Sequence, residues 1–542
     1  MRVENQRWVI GSRDLWHGTE CFDHCLKLSM AVEAEVPEAL ERVASHKESG
    51  GVKFRKTQGA EYEQLRNAQL ATNLGADFIE LPDFSDVDQV VLWANNKKVV
   101  IAQAPFDSDF GDFDYKGRAD LLVRSDYRLA YKEDGTLTAE PISGSANEGK
   151  YCIWEIKHTS KFDSKGKEQN VDIYKYQLAM AYESLSKLGL ASGNTCGIIF
   201  KEQEMTEFIP EEVLELTRVA REPMFMHLNE FGPHRKKALA VQTWRCEKPS
   251  VCDDAKCDYP DICAQMRYEH DELHQIYNIN HTHIPKLKSV GIDTVAKLLS
   301  EGGAGSGVAA EQIEKHLRWA RVISNLRQTG EHSYELFSGV FDEPGALPER
   351  TEGDLFVDFE WYTPLNTRAN FYYMFGVLNR KGDLKQFIAK DVAEEEAKFL
   401  EFLDCVESAI LSHPKMHFYV SNKTAEKTGI EKLGVRYSID VARINSVLAH
   451  IFDVQEAARN SIAVSTGGFG LKEMEVFFSK DAAARLTDTT DGEDSMWQYH
   501  EYIAFIDSNQ TTQAEAILKD IATYNGDDCL GTMRFYDWLA GL

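Results

Sequence analysis

Asp120 lies in the stretch "GRADLLV", and Glu155 and Lys157 lie in "YCIWEIKHTSK". The second stretch reads as a buried strand, because Tyr151, Ile153 and Ile156 stand among aromatic and β-branched neighbours. Glu155 and Lys157 are two apart, so on a strand both project from the same side. Asp120 belongs to a similar short strand, Arg118 to Val123, and a turn signal at Glu133 to Gly135 predicts that the two strands form an antiparallel pair. An aspartate followed by Glu-x-Lys on the next strand suits metal-assisted chemistry at a phosphate. Two carboxylates hold Mg²⁺ or Mn²⁺ at about 2.1 Å. The ion lowers the pKa of its bound water and neutralises charge on the phosphate, and the lysine places or deprotonates the attacking water. So short a pattern also occurs as a plain surface ion pair on an edge strand.

A second same-side acid pair opens the C-terminal part, in "DLFVDFEWYTP". There Leu355, Val357 and Phe359 share one face of a strand, and Asp358 and Glu360 share the other. Near the end of the chain, in "YNGDDCLGTMRFYDWL", Tyr524 and Asp528 are four apart, one helical turn. Thiols form a third cluster. Cys252, Cys257 and Cys263 lie close together, with Cys246 just upstream. In a reducing compartment that density reads as metal ligands, and both zinc and an iron–sulfur cluster accept thiolates.

The elements that must position these groups follow from periodicity. At 542 residues and 43% hydrophobic content the chain is expected to hold about two to three domains with real cores. No run is apolar enough to span a membrane, and the first residues lack an apolar signal core, so a cytoplasmic location is expected. Ten irregularly spaced cysteines point to thiols and a metal site rather than a disulfide framework. The net charge of −27 argues against a non-specific nucleic-acid coat protein, which should be basic. It leaves room for a local basic channel on an acidic body.

In chain order, residues 12 to 48 read as helical and carry Cys21 and Cys25. A helix from Gly59 with Leu65, Leu70 and Leu74 on its apolar face carries Glu63, and a strand at Asp77 to Leu81 follows. Strands are expected near Val90 to Trp93 and Lys98 to Ala104. After Lys157 come Lys161, Lys165 and Lys167, a run that could contact phosphates or simply be solvated. The helix "DIYKYQLAMAYESLSKLG" carries Gln177 and Tyr182, and another runs from Glu211 to Leu228. From Tyr277 the pattern reads helix, tight "VGID" turn, helix, reminiscent of a helix–hairpin–helix phosphate-binding unit with Gly291 in the turn; a plain helical connector is the alternative. A composition shift at "DEPGALPERTEGD" marks a domain boundary.

The ordered set "EC…EYE…RADLL…EIK…YQLA…C-x4-C-x5-C…VGIDTVAKL…VDFEWY…YNGDDC…WL" resembles a group of bacterial RecB-family nucleases. These join an N-terminal PD-(D/E)XK domain with a cysteine cluster to a C-terminal RNase H-like domain. The resemblance covers nearly the whole length. It implies an α/β protein with a restriction-endonuclease-like mixed-sheet nuclease core and helical insertions, over 1–275. A helical connector at 276–340 and an RNase H-like α/β domain at 341–542 complete it. By resemblance Asp120, Glu155 and Lys157 are the catalytic Asp, Glu and Lys. Glu63 is a further metal-contacting acid, with Tyr62 where relatives carry a histidine. Gln177 and Tyr182 line the DNA path, although five residues separate them where the family has four. Cys21 with Cys252, Cys257 and Cys263 is the family's split [4Fe–4S] ligand set; Cys246 is the competing fourth ligand, and with it the site is local and fits Zn²⁺.

The C-terminal motifs resemble the 3′–5′ exonuclease branch of the RNase H fold. That implies Asp358, Glu360 and Asp528 as metal ligands and Tyr524 as the residue that orients water. The remaining family acid should fall in "HFYVSNKTAEKTGIEKL", where Ala425 stands at the expected place with Glu426 beside it; Asp453 is another candidate. The expectation is a Mg²⁺- or Mn²⁺-dependent DNA nuclease, an exonuclease acting on single-stranded or unwound ends in repair or recombination. No Walker A motif is present, so a motor would come from a helicase partner. The rival expectation is a non-catalytic nucleic-acid-binding scaffold built from two degenerate nuclease folds, with a zinc-dependent regulator as a third.

Overall fold

In the computed structural model the two apolar stretches before and within "GRADLLV" pair with each other. β4 (Val100–Asp109) and β5 (Phe113–Arg124) run antiparallel, with Ile101 opposite Leu122 and Ala104 opposite Ala119. The structure describes residues 1–11, 13–15, 25–44, 50–111, 113–146, 148–162, 166–169, 171–230, 259–337, 347–365, 369–479, 489 and 492–542. The chain divides into two compact units, one of Met1–Glu48, Arg55–Met266 and Leu365–Arg368, the other of Ser49–Phe54, Arg267–Pro364 and Ala369–Leu542.

The first unit is organised around an eight-stranded mixed sheet. Its remaining strands are β1 (Arg2–Glu4), β2 (Arg7–Ile10), β3 (Phe78–Glu80), β8 (Tyr151–Ile156), β9 (Cys196–Ile199) and β10 (Met205–Phe208). β8 is buried along its whole length and lies between β5, antiparallel, and β9, parallel. The expected antiparallel pairing is therefore present, but the turn assigned to it is not the connection. Gly135, at φ +78°, turns a separate ribbon of β6 (Tyr127–Tyr131) and β7 (Leu137–Pro141) inserted between β5 and β8. Helices α1 (Lys27–Glu33), α2 (Pro37–Val43), α3 (Gly50–Leu74), α4 (Val87–Asn95), α5 (Asp172–Lys187), α6 (Pro210–Glu230) and α7 (Pro260–Glu269) complete the elements. The expected strand at Val90 to Trp93 is instead α4. Asp86 accepts from the Gln89 N–H and caps it, and Val90 and Ala94, one turn apart, both turn inward.

In the second unit β12 (Leu355–Tyr362) is the middle strand of a five-stranded sheet, between β13 (Phe371–Asn379), which leads to β14 (Leu384–Ile388), and β15 (Phe418–Val420), which leads to β16 (Ile451–Asp453). The first three strands are antiparallel neighbours; β15 and β16 join in parallel. Leu355, Val357 and Phe359 face a core with Phe399, Phe402 and Leu433. These come from α11 (Glu395–Ser412) and α12 (Lys423–Arg436). The opposite face, bearing Phe356, meets Phe535, Tyr536 and Leu539. Those residues lie on the long terminal helix; α13 (Val441–Leu448), α14 (Val454–Ser461), α15 (Leu471–Phe478), α16 (Gly492–Asp507) and α17 (Thr511–Leu539) follow α12 in order.

The segment expected as a connector is α8 (His283–Lys288), α9 (Val295–Glu301) and α10 (Ala310–Thr329), with Gly291 at φ +89° in the turn. Leu287, Leu298 and Trp319 share one core with Val454, Ile462 and Phe469, and β11 (Tyr334–Leu336) pairs with β17 (Ile462–Val464). These helices are thus part of the second unit. Among the described residues no helix is long and apolar enough to cross a membrane.

Candidate functional site

The register of β5 against β8 places Leu121 opposite Trp154, which sets Asp120 beside Glu155 on one face. Asp120 Oδ2 accepts the Ile156 N–H at 2.6 Å. Lys157 Nζ donates to Glu155 Oε2 at 2.7 Å and to Asp120 Oδ2 at 3.4 Å. Glu155 is 2% exposed. α3 brings Glu63 to the same group: burial first, then the Asp120 charge, push its carboxyl up to about 8. Its Oε1 is buried and has no hydrogen-bond partner among the described residues. Burial and then Asp120 likewise raise Glu155 to about 8. Burial pulls the Lys157 ammonium down, but Asp120 and Glu155 outweigh it and its pKa rises.

Two neighbours of this cluster were not expected. Tyr174, on α5, lies with its ring centroid 5.5 Å from Lys157 Nζ. Glu80, at the end of β3, accepts from Asn67 at 2.9 Å and adds to the negative field on Glu63. Gln177 is three residues beyond Tyr174 on α5 and shares its side of the helix. Tyr182 is placed elsewhere: its hydroxyl feels Glu211, Cys196 and Cys152 rather than the acids. Tyr62, fully buried, donates to the Phe200 carbonyl at 2.7 Å and accepts from Arg66 at 2.8 Å. Its phenol is committed to the core and is not offered to an ion.

The second unit gathers its acids from three elements and their hydroxyl partners from two. β12 supplies Asp358 and Glu360, α17 supplies Tyr524 and Asp528, α12 supplies Glu426, and α16 supplies Ser495. Asn525 Nδ2 donates to Asp358 Oδ2 at 2.9 Å, and Ser495 Oγ donates to Glu360 Oε2 at 2.7 Å. Burial pushes Asp358 far above the carboxylate range, and Glu360 and Asp528 push it further. Burial raises Glu360 to about 8 against the opposing Ser495 bond, with Asp528 adding to the rise. Tyr524 hydrogen-bonds Asp528, and burial followed by that carboxylate drives its phenol well above the ordinary value.

Packing separates the two candidates for the remaining family acid. Glu426 is 5% exposed, and its Oε2 has no hydrogen-bond partner among the described residues. Burial raises its carboxyl well above the normal range, and the Asp358 charge is the next cause. Asp453 is instead the N-cap of α14: it accepts from Glu456 N at 2.7 Å and from Lys423 N at 3.0 Å. The sequence signal for Glu426 was its spacing, one turn into the helix that Asn422 caps.

Of the cysteines, Cys263 is buried on α7. Cys21, Cys246, Cys252 and Cys257 lie outside the described residues. As placed, no three His, Cys, Asp or Glu side chains among the described residues form a closed metal-ligand set. The donor chemistry nevertheless fits a hard divalent ion. Each cluster crowds buried carboxylates that raise one another's pKa, and each holds one buried carboxylate oxygen without a donor among the described residues.

No curated protein and no solved structure matches the chain. A family model described as RNase_H superfamily matches residues 355–540, the span from the start of β12 to the end of α17. The chain is a mixed α/β protein whose C-terminal part is an RNase H-like domain of nuclease type.

Proposed function

We propose that this protein is a Mg²⁺- or Mn²⁺-dependent DNA nuclease that hydrolyses phosphodiester bonds at single-stranded or unwound ends, in repair or recombination. The observation that carries the reading is the meeting of Asp120, Glu155 and Lys157 on adjacent strands, beside Glu63, whose buried Oε1 has no hydrogen-bond partner among the described residues and whose carboxyl feels the Asp120 charge. The match of residues 355–540 to the RNase H superfamily supports a second nuclease centre at Asp358, Glu360, Glu426 and Asp528.

Glu63, Asp120 and Glu155 would hold an ion in the first site, and the four C-terminal acids in the second. A bound ion supplies neutralisation of phosphate charge and a water of lowered pKa. The chain's own groups do the rest. The Ile156 N–H fixes the orientation of Asp120. Lys157, held between two acids, keeps its proton near neutral pH. It therefore suits orienting water and meeting developing charge on the phosphate better than removing a proton. In the second site Tyr524, bonded to Asp528, is placed to orient water. The cysteine set that includes Cys263 fits a [4Fe–4S] cluster or Zn²⁺, and a brown protein absorbing near roughly 400 nm is expected for the cluster. A helicase partner would supply unwound strands.

The test is incubation of pure protein with labelled single- and double-stranded DNA and RNA in Mn²⁺. Cleavage lost in Asp120→Ala supports the reading; no cleavage, or cleavage unchanged in both Asp120→Ala and Asp358→Ala, overturns it. The Tyr62 phenol committed to the Phe200 carbonyl and the displaced Tyr182 favour the second reading, a non-catalytic binding scaffold, and tight DNA binding without turnover would establish that instead.

A further inference from the structure

Lys472 is a cation beside the C-terminal acids, and the nuclease reading gives it no task. It sits at the second position of α15, and its Nζ donates to the Tyr524 hydroxyl at 3.3 Å. The same ammonium is 4.5 Å from the centroid of the Tyr524 ring. Its charge reaches Glu360 and opposes the rise of that carboxyl.

The placement is built into the packing. The N–H of Gly470 donates to Glu473 Oε2 at 2.8 Å, which closes the start of α15. Leu471 then seats on Gly531 of α17, where an added Cβ would stand 3.2 Å from a Leu471 methyl. Gly531 is two turns beyond Tyr524 on that helix, so seating Leu471 there leaves Lys472 over the phenol.

We propose that Lys472 is a positioning residue of the RNase H-like site: its ammonium holds the Tyr524 hydroxyl and is the resident counter-charge of the Asp358–Glu360–Asp528 cluster, so that it competes with a bound divalent ion. The inference rests on the reading of that cluster as an ion-binding nuclease centre. An ammonium near buried carboxylates offsets part of their mutual repulsion, and the same positive charge repels an incoming cation. With Nζ on the phenol oxygen, the hydroxyl proton is directed to Asp528 rather than left to rotate.

The experiment uses the full-length chain carrying Asp120→Asn, so that the second site is read alone. Mn²⁺ affinity is measured by calorimetry, and cleavage of single-stranded DNA at saturating Mn²⁺, in this parent and with Lys472→Met or Lys472→Arg added. Lys472→Met is expected to bind Mn²⁺ about three- to tenfold more tightly, from the lost like-charge repulsion. Its kcat is expected to fall about ten- to a hundredfold with KM little changed, as for a lost orienting contact. Lys472→Arg should recover most of both. Equal Mn²⁺ affinity in parent and Lys472→Met overturns the inference, as does a parent that binds no Mn²⁺ at this site. Should Lys472→Met fail to fold, Lys472→Gln takes its place in the same comparison. A shift in affinity without cleavage by any chain sinks the nuclease reading of the cluster and leaves the counter-charge role standing.

Discussion

One amide of Asn525 holds Asp358 twice: Nδ2 donates to the carboxylate Oδ2 at 2.9 Å and to the main-chain oxygen of the same residue at 3.0 Å. The other end of the Asn525 side chain accepts from Gln386 Nε2 at 3.1 Å. Gly376, opposite Asp358 in the β12–β13 register, makes room for this, since a Cβ there would come within 2.1 Å of Asn525 Oδ1. The acid thus has its orientation set by a neighbouring helix before any ion arrives.

Removing that clamp should cost stability and precision together. Asn525→Ala deprives a buried carboxylate of its donor and is expected to destabilise the fold by about 1–3 kcal/mol. Gly376→Ala should act in the same direction by displacing the amide. Denaturant unfolding measures the cost, and Mn²⁺ affinity in an Asp120→Asn background measures the loss at the site. An Asn525→Ala chain as stable as its parent would show that Asp358 needs no clamp.

Glu426 offers a cleaner separation of stability from function. Its buried Oε2 has no hydrogen-bond partner among the described residues and the carboxyl feels the Asp358 charge, so Glu426→Gln should stabilise the metal-free chain above neutral pH while weakening Mn²⁺ binding about tenfold or more. Thermal melts with and without Mn²⁺ read both effects. Weakened binding without any gain in metal-free stability would mean that the repulsion from Asp358 is already relieved.

The pH dependence of metal-free stability has a definite sign. Burial raises the carboxyls of Glu63, Glu155 and Glu360 to about 8 from the ordinary 4.5, so between those pH values the native chain binds more protons than the unfolded one. Each such group lowers stability as pH climbs from about 4.5 to about 8. Melting temperature in EDTA should therefore fall across this window, more steeply in the parent than in Glu360→Gln. Adding Mn²⁺ should restore most at the alkaline end. Parallel slopes for parent and Glu360→Gln would show that this carboxyl is not held protonated.

Two of the three tyrosines of α5, Tyr174 and Tyr182, make a direct comparison. Tyr174 has its ring beside the Lys157 ammonium, whereas Tyr182 is within the electrostatic reach of Glu211 and Cys196. With the second site disabled by Asp358→Asn, cleavage by Tyr174→Phe or Tyr174→Ala should fall, by about tenfold in the alanine variant. Tyr182→Phe should stay within about twofold. The reverse ranking would mean that the substrate path runs along the other face of α5.

Much of the site was legible in the sequence because strand alternation is local. Asp358 and Glu360, or Glu155 and Lys157, must share a face wherever the strand goes, and the apolar residues between them say which face is core. Helical spacing did the same for Tyr524 and Asp528. The failures were places where local pattern had two solutions. Val90 to Trp93 is apolar enough for a strand, and the Asp86 cap made it a helix. The turn at Gly135 closes a ribbon that periodicity could not tell from the main sheet. Tertiary structure alone decided which side of α5 faces the acids, that Asp453 is consumed as a cap while Glu426 is free to reach Asp358, and that Lys472 lands on Tyr524. Those are contacts between residues distant in the chain, set by how helices seat on sheets, and no short-range pattern encodes them.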